Sequence, residues 1–118
     1  MTHDVRKILK DFTDGIGSLS KSNGRVIQAF MNLQDATFGD SAIPNKYKEL
    51  ISVAIGCYNR CQYCIVYHVY KAYETGATRE EILEASMVAA GGFGAGPSMA
   101  YSATVLLDAV NEFENDFK

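Results

Sequence analysis

The sequence predicts an all-α protein, and three observations carry that expectation. Apolar residues recur at helical spacing along nearly the whole 118-residue chain. No stretch shows the strict apolar/polar alternation of a half-buried strand. Only two prolines occur, and no low-complexity linker separates segments, so a single domain over residues 1–118 with five to six helices is expected.

Each element has its own signature. Val5, Ile8, Leu9, Phe12, Ile16 and Leu19 follow a three-four rhythm, loosened by Gly15 and Gly17. Ser22-Asn23-Gly24 punctuates the chain, and Val26, Ile27, Phe30, Met31 and Leu33 resume the rhythm until Gly39-Asp40. Pro44 suits the first position of a third helix, where its missing N–H costs nothing. Tyr47, Leu50, Ile51, Ala54 and Ile55 give that helix a broad apolar face. Asn59-Arg60 reads as a turn, and a fourth helix runs from about Cys61 to Tyr73, closed near Gly76. The third and fourth helices therefore form a central antiparallel pair. Thr78-Arg-Glu-Glu81 is a capping box, with Ile82, Leu83, Met87 and Val88 as the expected buried stripe of a fifth helix. Gly91 to Gly96 breaks it, and Pro97 opens a last helix through Tyr101, Val105, Leu106, Ala109, Val110 and Phe113. The small residues from Ala85 to Ala100 suit close helix packing or a subunit interface.

Composition excludes several functions. Net charge is -3, with no basic stretch carrying interleaved aromatics, so nucleic acid is not an expected partner. The first residues lack the apolar stretch of a signal peptide, and no later segment suits a bilayer span. The expectation is a soluble, cytoplasmic protein with no membrane partner. The glycine-rich run Gly91–Gly96 lacks the Gly-Lys-Ser/Thr ending of a phosphate loop and follows no strand, so it reads as an interhelical loop.

Chemistry concentrates in Cys57-Tyr-Asn-Arg-Cys61-Gln-Tyr-Cys64-Ile-Val-Tyr-His68, which holds all three cysteines. Reducing cytoplasm keeps thiols free, so clustered cysteines there point to redox or metal chemistry. Cys61 and Cys64 are spaced i, i+3 at a helix start, and His68 follows Cys64 at i+4 on the same face. Glu49 and His68 are nearly symmetric about the Asn59-Arg60 turn, so a helical hairpin brings Glu49 opposite His68. The four side chains are expected along one groove. Free N–H groups and the dipole at a helix N-terminus favour a thiolate, which is the reacting form of cysteine. Position alone makes Cys61, nearer the helix start, the stronger thiolate. Histidine moves protons near neutral pH, and a carboxylate orients it.

Blander readings weigh against each residue taken singly. Cys57 reads as a small buried apolar residue. Glu49 by itself reads as a surface carboxylate beside Lys46 and Lys48. His68 by itself reads as a partly buried polar residue. Two further readings share these residues. Cys57-x-x-x-Cys61-x-Tyr63-Cys64 matches the iron–sulfur spacing of radical S-adenosylmethionine enzymes, which need an α/β barrel that a helical chain of this length does not supply. A zinc or iron site on Cys57, Cys61, Cys64 and His68 would take four ligands from one short segment, whereas tetrahedral sites usually gather them from separate elements.

Glu49, eleven intervening residues, Cys61-x-x-Cys64, three more, then His68 resembles the active-site signature of alkylhydroperoxidase D-like proteins, within the carboxymuconolactone decarboxylase family. Ile43-Pro44-x-Lys46-Tyr47-Lys48-Glu49-Leu50-Ile51 and Ala72-x-x-x-Gly76-Ala77-Thr78-x-Glu80-Glu81-Ile82 extend the resemblance, which covers roughly residues 40–110. It implies an all-helical fold, a hexamer or trimer, and thiol peroxidase or disulfide reductase activity without a bound cofactor. It implies that Cys64 attacks a hydroperoxide, that Cys61 supplies a proton and closes the disulfide, and that Glu49 and His68 relay protons. A lipoyl- or thioredoxin-like dithiol would restore the pair. One departure is Tyr63, where peroxidase members carry a second histidine. Tyrosine, with an ordinary pKa of about 10, is a poor base near neutral pH. Decarboxylase members generally lack the paired cysteines, which makes lactone chemistry the poorer match.

Overall fold

A computed structural model describes residues 3–118. Its helices are α1 (Val5–Ser22), α2 (Gly24–Phe38), α3 (Asn45–Asn59), α4 (Gln62–Glu74), α5 (Arg79–Gly92), α6 (Ala95–Tyr101) and α7 (Leu107–Phe113). A π-helical turn, Ser102–Leu106, joins α6 to α7, so residues 95–113 form one rod and the fold has six. The all-α expectation is met. Among the described residues, no helix is long and apolar enough to cross a membrane.

The core lies where α4 meets α3, α5 and the last rod. Val53, Ile65, Val66, Val69, Ile82, Val105, Leu106, Val110 and Phe113 are all sealed from solvent. Burying each such side chain is worth about 1.5–3 kcal/mol. The first helix closes one side through Val5, Ile8 and Leu9. Arg6 ties it to the C-terminal end of the chain by hydrogen bonds to Glu112 of the last rod and to Asp116 just beyond it.

Local signals set the helix ends. Thr78 Oγ1 accepts from the Glu81 N–H at 3.1 Å, and Glu81 accepts from the Thr78 N–H at 2.9 Å, which is the expected capping box. Gly76, at φ 93°, takes the left-handed C-terminal position of α4, and the Ala77 N–H reaches back to the Ala72 carbonyl. Two start points differ from expectation. Pro44 is the residue before α3 rather than its first. Pro97 is the third residue of α6, still within the turn whose N–H groups need no helical partner.

The buried faces of α3 and α5 also differ from the predicted stripes. In α5, Ile82, Ser86, Ala89 and Ala90 point inward, while Met87 and Val88 are exposed. In α3 the buried residues are Glu49, Val53, Gly56 and Cys57, while Tyr47, Ile51 and Ile55 are about half exposed. Small side chains let these helices approach closely, which turns the larger ones outward. Ile51, Ile55, Tyr58, Val88 and Phe93 then line an apolar surface groove of about 440 Å³. Helix α2 buries no residue, and its Val26, Phe30 and Leu33 are exposed.

Candidate active site

The hairpin of α3 and α4 builds the site. Only Arg60 and Cys61 separate the two helices. Arg60 adopts the left-handed conformation (φ 57°, ψ 41°), which a residue with a Cβ rarely takes. Its N–H bonds the Cys57 carbonyl, and the Cys61 N–H bonds the Gly56 carbonyl at 3.1 Å. This paired closure reverses the chain within two residues. Gly56 permits the crossing, because a Cβ there would meet Ile65 Cγ1 at 3.2 Å. Strain at Arg60 is therefore held by hydrogen bonds on one side and tight packing on the other.

The turn delivers Cys61 as the N-terminal cap of α4. Its Sγ accepts a hydrogen bond from the Cys64 N–H at 3.2 Å. The two Cα atoms are 5.3 Å apart, and the sulfurs are joined as a disulfide. Both cysteines are partly exposed, and Tyr63 between them is exposed.

One turn along α4, His68 meets Glu49. The His68 Nδ1 to Glu49 Oε1 distance is 2.7 Å, and the side chains are 15% and 7% exposed. With Glu49 ionised the carboxylate can only accept, so Nδ1–H donates and Nε2 is the ring nitrogen this pair leaves over. The surface reading of Glu49 is overturned: an antiparallel neighbour buries it. Lys48 turns away and donates to the carbonyls of Thr37 and Gly39. Lys46 reaches Glu81 at 3.0 Å.

Sequence reasoning missed the aromatic clamp on His68. Phe38 stacks on the imidazole, with centroids 5.6 Å apart and planes 17° apart, and Tyr67 meets it edge-on at 5.1 Å. Burial pushes the Tyr67 hydroxyl above its usual range, partly opposed by Lys71. A signal for Phe38 existed: it stands seven residues after Met31, one more step along the inner stripe of α2.

The single groove expected for all four residues is divided. A cleft of about 240 Å³ between α2, α3 and α4 is walled by Phe38, Glu49, Tyr67, His68 and Lys71, and the cysteines are not part of its wall. Among the described residues, no hydrogen bond joins His68 to either sulfur, so the disulfide and the buried pair are neighbours along one helix. Cys57 is sealed in the core, as its bland reading expected. Burial pushes its thiol up; Ser102 lies close enough to oppose that shift, without a well-formed bond between them. Among the described residues, no three His, Cys, Asp or Glu side chains converge with metal-holding geometry.

Comparison with known proteins adds a lineage to this geometry. Residues 25–108 match the sequence profile described as the carboxymuconolactone decarboxylase family. A Legionella pneumophila protein of that family, solved in its apo form, superposes with a TM-score of 0.88 at 34% identity, covering 94% of this chain and 97% of that one. A Thermotoga maritima family protein, for which involvement in the antioxidative response has been suggested, gives 0.70 at 25% identity, covering 95% and 97%. The protein called uncharacterized protein 4 in cox locus of Paracoccus denitrificans is 36% identical over 97 residues, 81% of this chain and 87% of that protein. An uncharacterized protein of Cupriavidus necator is 32% identical over 113 residues, 94% of this chain and 99% of its own.

Proposed function

We propose that this chain, which belongs to the carboxymuconolactone decarboxylase family, works as an alkylhydroperoxidase D-like thiol peroxidase in a reducing compartment such as the cytoplasm. The observation that carries the reading is the Cys61–Cys64 pair at disulfide distance on a helix N-terminus, one turn from a buried Glu49–His68 pair.

The Cys64 thiolate attacks the terminal oxygen of a hydroperoxide. The O–O bond breaks, the alcohol leaves with a proton from Cys61, and Cys64 becomes a sulfenic acid. Cys61, now a thiolate, attacks that sulfur; the S–O bond breaks, the leaving hydroxide takes a proton delivered through His68 to become water, and the disulfide forms. An external dithiol, lipoyl- or thioredoxin-like, then attacks Cys64 and is itself oxidised as the thiol pair returns. The N–H bond to Cys61 Sγ supports this direction, since a hydrogen bond to sulfur stabilises Cys61 as the leaving thiolate. His68, oriented by Glu49, exchanges the protons with solvent.

Tyr63 favours a second substrate class. It replaces the imidazole of peroxidase members with a phenol, and it is exposed, so a disulfide that needs no protonated leaving alcohol is the competing oxidant. The apolar groove on α3 and α5 and the bare face of α2 support a homo-oligomer, which the family resemblance would make a trimer or hexamer.

The test is peptide mass mapping of reduced protein after one equivalent of hydroperoxide, with free thiols alkylated in denaturant. The expected result is a rapid Cys61–Cys64 disulfide with Cys57 alkylated. Cys61→Ser should stop at a trappable sulfenic acid on Cys64, and Cys64→Ser should not react. Three alkylated thiols in the wild type would sink the peroxidase reading, and turnover of disulfides would then be measured. A lactone decarboxylase would keep its turnover with both cysteines replaced by serine. A metal protein would carry stoichiometric metal that Cys57→Ser abolishes.

A further inference from the structure

Helix α2 contributes nothing to the core, yet its last turn is tied down firmly. Lys48 Nζ donates to the Thr37 carbonyl at 2.8 Å and to the Gly39 carbonyl at 2.7 Å. Asn45 Nδ2 donates to the Phe38 carbonyl at 2.7 Å, and the Asn45 N–H donates to Asp40 Oδ1 at 2.7 Å. These bonds satisfy carbonyls that a helix end leaves without partners, and the lysine charge suits the negative end of the helix dipole. Their structural product is the placement of one ring. Phe38 stands nearly parallel to His68 in an offset stack, 5.6 Å between centroids.

We propose that Phe38 is a positioning residue for His68, presented by the Lys48–Asn45 clasp. The outer torsion of a histidine is broad, so one hydrogen bond from Nδ1 to Glu49 leaves the ring free to rock about it. Tyr67 meets the imidazole edge-on and comes from the same helix as His68. Phe38 is the ring that arrives from outside the α3–α4 hairpin. A near-parallel ring beside the imidazole limits how far it can rock out of line with Glu49. The proposal rests on reading His68 as the proton carrier for the cysteine pair. It assigns α2 a task that burial does not.

Phe38→Leu keeps apolar bulk and removes the flat ring. Lys48→Met loosens the clasp and keeps the Phe38 side chain, now less firmly presented. Two readouts are taken on each full-length variant: the rate of hydroperoxide-driven Cys61–Cys64 closure across neutral pH, and the low-field NMR signal of the His68 Nδ1 proton. In the wild type that signal should be sharp. In Phe38→Leu it should broaden by exchange with water, and closure should slow about tenfold, a fraction of what a general acid–base group supplies. Lys48→Met should move both readouts the same way by less, and it carries the test if Phe38→Leu does not fold. An unchanged Nδ1 signal in both variants overturns the proposal. So does a broadened signal with wild-type closure, provided His68→Ala is slow. If His68→Ala closes at the wild-type rate, it is the proton-relay reading that has failed, and the NMR signal still decides whether Phe38 orients the ring.

Discussion

Helices α2 and α4 are of similar length, 15 and 13 residues, and each places a ring in the same aromatic cluster, yet different forces hold them. The interior of α4 is packed: Ile65, Val66, Val69, Ala72 and Tyr73 are buried, Cys61 caps its start, and Gly76 closes its end. None of the α2 side chains is buried, and no side chain caps its start. Its last turn is fastened by polar side chains of α3. A packed helix holds its residues through cavity energetics, which makes α4 a rigid frame for Cys64 and His68. A surface helix held by hydrogen bonds places one residue well and leaves the rest adaptable. The difference explains how exposed Val26, Phe30 and Leu33 coexist with an ordered Phe38.

The largest test of this contrast is a pair of truncations followed by urea denaturation at low protein concentration. Ile65→Ala should cost about 2–5 kcal/mol, because it opens a cavity in a fully buried position. Leu33→Ala, at 64% exposure, should stay within about 0.5 kcal/mol. A larger loss at Leu33 that grows with protein concentration would show α2 covered in an assembly rather than free.

Helix starts give a smaller contrast. Thr78→Ala removes the hydroxyl that accepts from the Glu81 N–H, leaves the backbone half of the capping box, and should cost about 1 kcal/mol. Asn23→Ala, at the start of α2, removes no capping bond and should lie close to wild type.

Alkaline pH probes the far end of α4. Burial pushes the Tyr73 hydroxyl up to about 12, and it donates to the Val110 carbonyl at 2.9 Å. The folded state therefore keeps a proton that the unfolded chain releases near pH 10. The stability held by Tyr73 is complete below pH 10 and is lost as pH rises towards 12. Denaturation midpoints measured over that window should fall for the wild type and fall less for Tyr73→Phe.

Cys57 gives the smallest signal. Its buried thiol, with a pKa raised by burial, should alkylate far more slowly than reduced Cys61 and Cys64 in native protein, and at their rate in denaturant. Equal native rates would mean that the end of α3 opens as readily as a surface loop.

Much of this architecture was legible beforehand, where the deciding interactions are local. The Thr78–Glu81 box, the Gly76 stop and the break at Asn23 involve residues within a few positions of one another, so the string of letters contains both partners. The spacing of Cys61, Cys64 and His68 is of the same kind. The approach of Glu49 to His68 was readable only because two residues join their helices and register follows from counting outward. Stripe assignment failed in α5 because a helix with small residues on one side and large ones on the other presents two apolar faces. Periodicity does not say which one a neighbour will cover. Phe38 stayed hidden because α2 reaches the site across a loop whose path depends on Lys48, Asn45 and Asp40.

By itself the sequence determined an all-α chain, most of its helix ends, and a cysteine pair with histidine and carboxylate in reach. Those features follow from backbone hydrogen bonding and helical periodicity, which act over a few residues. Tertiary structure alone decided that Glu49 is buried, that Phe38 lies on His68, that the cysteines stand outside the His68 cleft, and that one apolar face of α3 looks outward. These depend on which surfaces pack most closely, a competition among all the helices that no single segment encodes.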